Sequence, residues 1–308
     1  MIEWSSDTLW SKAQVYTKLA FEADPSSPLF PLLASFSLEM LGKSALSNIH
    51  PALIADPRQE GAAILYAFGV PTKDPKTIVA KTVFNRLRQI VPEFNDDDES
   101  YCVLMAERRN KELHTGELSY QNYGTGAWLA EYYRVVKVLC VFLGRDLSDL
   151  LGPARAAEAA QITLGEAARV KADVSRRIAD RKRAMADLHV HELQQRRIEH
   201  EPKNHWRYQS PGWVFRSTPC PSCESAGSLH LKETGERPPE IVEDAIYVDT
   251  IYSPREFSCA VCGLKLSGTQ ELRVAALADE IIRSSESTPT EYFDIPTPEP
   301  DWSDYGND

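Results

Sequence analysis

Two cysteine pairs, Cys220-Pro-Ser-Cys223 and Cys259-Ala-Val-Cys262, restrict the folds open to this 308-residue chain more than any other feature. A C-x2-C pair on a tight turn aims two thiolates at one point. Two such turns close a tetrahedral four-thiolate site, the geometry zinc takes when no position is left open for chemistry. The pattern therefore predicts a structural zinc held by Cys220, Cys223, Cys259 and Cys262, with catalysis elsewhere. Pro221 stiffens the first turn, and Gly263 lets the backbone reverse after the second. The alternative is two disulfides. The opening Met1-Ile-Glu-Trp-Ser-Ser-Asp has no basic leader region, which points to the cytosol and to reduced thiols. Cys102 and Cys140 fall in apolar helical contexts and read as buried thiols.

The residues between the pairs leave room for a few strands or a hairpin. CPSC with CAVCGLKL resembles a zinc ribbon, which implies a small β-rich module over 204–283, with a short helix at Gln270–Ile282. Beyond it, 284–308 carries seven acidic residues and no basic ones, among many Pro, Ser and Thr. That composition predicts a disordered acidic tail, either purely solvating or docking on a basic surface. It also accounts for most of the net charge of −11, which leaves nucleic acid open as a partner.

The first half reads as helical. Leu9–Glu22, Leu29–Ser47 and Lys76–Val91 show helical patterning. Asp96-Asp97-Asp98-Glu99 forms an N-cap and acidic first turn, favourable against the helix dipole. That helix runs to His114, and a further one spans Thr125–Phe142. The longest apolar candidate, Trp128–Gly144, is interrupted by Glu131, Arg134 and Lys137, so no membrane span is expected. Ala156–Ile198 is a long Ala-, Arg- and Glu-rich stretch. Its partial heptad, Leu164, Ala167, Lys171, Val174, Ile178, Arg181, Met185 and Leu188, predicts a helix lying on a neighbour or a weak dimer seam. The expected fold class is mainly α: a helical domain over 1–152, a helical connector over 153–203, then the small ribbon and the tail.

Glu107-Arg-Arg-Asn-Lys-Glu-Leu-His114 carries the sharpest chemical signal. Asn110 and His114 are one turn apart on one face, with Arg109 about 140° round the helix from His114. Histidine can relay a proton near neutral pH, arginine can stabilise a phosphate, and asparagine can position it. The alternative is a solvated basic face of Arg108, Arg109 and Lys111, with His114 complementing the helix C-terminus. The R-x4-H pattern, its RN…H form and the upstream Glu39 and Lys43 resemble the HEPN superfamily of metal-independent ribonucleases, over about 8–150. The resemblance implies a helical bundle and RNA cleavage to a 2′,3′-cyclic phosphate. It also implies catalytic Arg109, Asn110 and His114 in a site completed by a homodimer, within a bacterial defence or toxin system. An activator or inhibitor protein is a further expected partner. A silent domain of this kind would instead be an adaptor that binds nucleic acid or protein.

Three further features bear on function. Trp206, Tyr208, Trp213 and Phe215, beside Arg207 and Arg216, suit either base stacking or the core of a small module. Arg176, Arg177, Arg181, Lys182 and Arg183 interleave with Asp173, Asp180 and Asp187, the pattern of a salt-bridged exposed face. His189 and His191 point to different helix faces, and His200 and His205 face a ligand set already complete. Phosphate-loop, dinucleotide and serine-esterase motifs are absent.

Overall fold

Capping side chains fix where the first helices start. Ser5 accepts from the Thr8 N–H and opens α1 (Ser6–Glu22). Asn95 accepts from the Asp97 and Asp98 N–H groups while Asp98 accepts from the Asn95 N–H, a reciprocal cap on α5 (Asp96–His114). The computed structural model describes residues 2–58 and 60–294, and the chain divides into two units, Met1–Arg169 and Val170–Asp308.

The first unit is helical. Between α1 and α5 lie α2 (Leu29–Ile49), the single turn and a half of α3 (Ala62–Ala67), and α4 (Ala80–Ile90). After α5 come α6 (Leu129–Phe142), the short α7 (Leu147–Leu151) and the first half of α8 (Pro153–Ala186). α1 and α2 run antiparallel, as Ser6 bonds Ser44 and Thr17 bonds Ser37 at 2.6 Å. α2 is long and apolar enough to cross a membrane by length and composition, yet 67% of its most apolar window is buried inside this unit. Its Leu38, Leu41 and Leu46 are fully enclosed, with Phe84 and Leu87 of α4 and Trp128, Tyr132 and Tyr133 around α6. Gly42 marks the closest approach of α2 to α4, because a Cβ there would meet Val83 Cγ1 at 2.9 Å and Leu87 Cδ1 at 3.0 Å. Asp98 is tied to Arg134 at 2.7 Å, which fastens α5 to α6.

The second unit corrects the expected fold class. A substantial antiparallel sheet of seven strands stands where a small ribbon was expected. Its strands are β1 (Trp206–Ser210), β2 (Trp213–Pro219), β3 (Ala226–Glu236), β4 (Glu240–Val242), β5 (Ala245–Ser258), β6 (Lys265–Ser267) and β7 (Ile281–Ser287). β5, at 14 residues, is the hub: β3 and β4 line one edge, β6 and β7 the other. The expected helix at Gln270–Ile282 is shorter, α10 (Gly268–Val274), and the residues from Ile281 form β7 instead.

β7 also corrects the expected disordered tail where it is described. Ser284 to Ser287, with no apolar side chain, pair with Ile246–Asp249 of β5. Backbone hydrogen bonds hold this edge strand, and they leave no trace in composition. α11 (Pro289–Tyr292) follows, and the acidic stretch 295–308 lies outside the described residues. Arg283 of β7 donates to the Tyr208 hydroxyl of β1 at 3.0 Å, so the sheet curls until its outer strands' side chains meet.

The second half of α8 and α9 (Val190–His200) belong to this unit, separated by a break at 187–189 where His189 caps α9. Val174 and Met185 are buried with Val214, Leu229, Leu231 and Phe257, and Ile178 and Leu188 pack against them. The partial heptad from Val174 onward is therefore the seam of α8 against its own sheet, not a seam between copies. Leu164, upstream, is exposed.

Candidate functional site

The four cysteines occupy two matching turns at one end of the sheet. Cys220–Cys223 links β2 to β3, and Cys259–Cys262 links β5 to β6. The register Ser228↔Ser258 sets the two turns side by side. Each turn closes alike: the Cys220 N–H donates to Ser225 O and the Glu224 N–H to Cys220 O, as Cys259 does to Leu264 O and Gly263 to Cys259 O. Both turns need a left-handed residue at the fifth position, Glu224 at φ 63° and Gly263 at φ 74°.

The thiols fit zinc. All four Sγ atoms lie within 4.8 Å of one another, with Cys220 to Cys262 at 3.7 Å and Cys223 to Cys259 at 3.6 Å. A tetrahedron with Zn–S bonds of about 2.3 Å has S···S edges of about 3.8 Å. A disulfide needs about 2.05 Å, so the pairs are not bonded to one another. The thiol protons are already uneven: hydrogen bonds from Cys220 and Cys262 hold the Cys259 thiol far below its ordinary range, and the same exchange pushes Cys220 far above it.

Arginines from α8 and α9 surround the turns, and of these Arg177 and Arg181 come from the stretch whose interleaved charges read as a salt-bridged face. Arg197 donates to Ser225 Oγ at 2.9 Å and Cys223 O at 3.2 Å. Arg177 donates to Lys265 O at 2.9 Å and pairs with Glu271. The Arg181 guanidinium lies 3.7 Å from where a Gly263 Cβ would stand. A four-thiolate zinc centre carries a net charge of −2, and these cations suit it. Arg176 and Arg183 pair with Asp173 and Asp180, as the interleaved charges suggested. His200 and His205 stand outside the cysteine cluster.

In the helical unit, α5 divides the R-x4-H residues between two faces. Arg109 turns inward, 9% exposed, and pairs with Glu39 of α2, over the Phe36 ring at 5.2 Å. Glu39, 12% exposed, also takes Lys43 at 2.7 Å, and Lys43 reaches Thr77 Oγ1 at 2.9 Å. Burial opposes ionisation of Glu39, but Lys43 and then Arg109 outweigh it and hold its carboxyl below the usual range. Asn110 and His114 face solvent. Arg109 donates to Asn110 Oδ1 from Nη2 at 3.2 Å. A guanidinium only donates, so Asn110 presents its oxygen inward and its amide donors outward.

Arg108 and Lys111 are also engaged. Arg108 donates to Ser119 O at 2.7 Å and lies over the Tyr123 ring at 4.2 Å, folding the loop after α5 back along the helix. Lys111 pairs with Glu117 at 3.3 Å. The pairing of Arg109 with Glu39 had one sequence signal, Glu39 and Lys43 a turn apart upstream, but nothing local joined it to α5.

The chain matches no protein-family model, no curated protein and no solved structure.

Proposed function

We propose that the helical unit is an endoribonuclease whose reacting face is Asn110 and His114, with zinc in the four-thiolate site serving structure alone. The supporting observation is the buried Glu39–Lys43–Arg109 cluster directly behind that face. Burying three charges together is costly and seldom improves stability over an apolar core. Such clusters concentrate where a site is held ready. Here the cluster carries one surplus positive charge and fixes the Asn110 amide with its donors outward. Asn110 then binds a phosphate oxygen, and His114 moves the proton between the 2′-hydroxyl and the leaving 5′-oxygen. Arg109 acts from behind, holding Asn110 and adding positive potential. RNA is the substrate, and independence of added metal is what the HEPN resemblance implies.

A second copy completes the site in this reading. Leu113 and Leu118, 49% and 63% exposed, flank His114 and offer an apolar rim for a symmetric contact. The burial of Arg109 also favours a second reading, a non-catalytic adaptor in which the Arg109–Glu39 pair is purely structural.

The two readings separate in one experiment. Purified protein is incubated with total RNA in magnesium-free buffer, with chelator too dilute to strip thiolate-bound zinc. Wild type should cut, and His114→Ala should cut about 100-fold less or worse. Arg109→Ala should lose a comparable factor. Folded variants that cut as fast as wild type would overturn the assignment, and absence of cutting by every form favours the adaptor.

A further inference from the structure

The sheet has two unlike faces. Val214, Leu229, Leu231 and Phe257 point to the face that α8 and α9 cover. The opposite face is set out by the register. One row runs Arg207, Phe215, His230, Glu256, Ser267 across five strands. A second runs Ser210, Trp213, Lys232, Ser253, and a third Ser217, Ser228, Ser258, Lys265.

The aromatics on this face are not core. Trp206 packs against the buried cluster and meets Tyr252 edge-on at 5.2 Å, but Trp213 and Phe215 are not among the residues of that cluster or packed on it. Both are partly buried but keep some exposure, and the one ring contact of Phe215 among the described residues is His230, edge-on at 4.2 Å. The base-stacking and core alternatives for these aromatics thus divide: Trp206 goes to the core, Trp213 and Phe215 to the open face.

Charge on this face is graded. From β1 to Lys232 of β3 the outward positions carry Arg207, His230 and Lys232 and no carboxylate. The acids lie on the β5 side, Glu256 opposite His230, and Glu280, which accepts from Ser253 at 3.3 Å. Burial lowers the His230 pKa against the pull of Glu256, which favours the neutral ring. Two aromatic positions about 6.7 Å apart along one strand, an imidazole beside them and cations at the margin form a surface that takes unpaired bases by stacking and their phosphates by charge. Duplex RNA hides its base faces and has no use for such rings.

We infer that the open face of β1–β3 binds single-stranded RNA, with Trp213 and Phe215 stacking bases and Arg207 and Lys232 holding phosphates. This deepens the ribonuclease reading by naming unpaired RNA as the form of substrate recruited, and it rests on that reading only for its purpose. The test uses the full chain carrying His114→Ala, so binding is measured whether or not the protein cuts. The probe is a fluorescein-labelled oligouridylate of about twelve nucleotides, set against the same length annealed into duplex.

Anisotropy should show saturable binding to the single strand, weakened about 10- to 100-fold by Trp213→Ala or Phe215→Ala and little changed by Phe215→Tyr. Arg207→Glu with Lys232→Glu should weaken binding and flatten its dependence on salt between about 50 and 200 mM. Trp206→Phe, a core change, should leave affinity within about twofold. No binding to the single strand, equal binding to duplex, or indifference to all the face variants in folded protein would overturn the proposal. Because these outcomes do not depend on cleavage, they leave the reading of His114 to its own assay.

Discussion

A single carboxylate joins three elements in the helical unit. Glu39 of α2 takes Lys43 of its own helix and Arg109 of α5, and Lys43 reaches on to Thr77. Removing it leaves two buried cations facing each other, so Glu39→Ala should cost about 3–5 kcal/mol, read by urea denaturation. The charge also sets a pH dependence. The folded carboxyl titrates below its unfolded value of about 4.3, so the pair stabilises fully above that value and loses its contribution as pH falls through the folded one. Melting curves of wild type and Glu39→Gln should therefore differ most near neutrality and converge in acid. A gap that stays constant down to about pH 3 would show that Glu39 is not the titrating group. At this scale the sequence was partly readable: Glu39, Lys43 and Arg109 were each conspicuous, but a side chain's partner across 70 positions has no local signature.

Close approach between elements limits what α2 and α4 tolerate. An alanine at Gly42 would gain helix propensity, roughly 1 kcal/mol. Its methyl would also overlap Val83, a stiff and fully buried side chain, and overpacking of that kind costs about 1–3 kcal/mol. Gly42→Ala should thus be destabilising by about 1 kcal/mol, and Gly42→Val severely so; thermal melts of the two variants check the order. α5 is the element best read in advance, since Asn95, the acidic first turn and the end at His114 are all local chemistry. β7 is the element least readable. Its Ser-rich sequence has no strand pattern, and it exists because the outer edge of β5 supplies seven residues of backbone partners.

At the scale of the whole molecule, the described residues form two cores, one helical and one of sheet with its covering helices. The four-cysteine site belongs to the second alone. Zinc held there would clamp the β2–β3 and β5–β6 turns, and its charge would be met by Arg177, Arg181 and Arg197. Purified protein should hold one zinc per chain by elemental analysis. Strong chelation, or Cys220→Ser, should lower the melting transition of the sheet unit and leave the far-ultraviolet signature and melting of the helical unit in place. A zinc-free preparation whose sheet unit melts unchanged would refute the assignment. The sheet is larger than a ribbon, with Phe257 and Leu231 fully enclosed, so loss of metal should loosen it rather than abolish it.

By itself, the sequence determined what short-range chemistry controls. Caps start helices within a turn, two C-x2-C turns bring thiols together wherever the chain carries them, and interleaved charges pair along one helix face. Tertiary structure alone decided the rest. Strand pairing joins residues through backbone groups that every sequence has, so the extent of the sheet, the place of β7 and the split of the aromatics between two faces emerged only with the fold. The inward turn of Arg109 has the same cause: a buried cation goes where a carboxylate is waiting, and that carboxylate belongs to another helix.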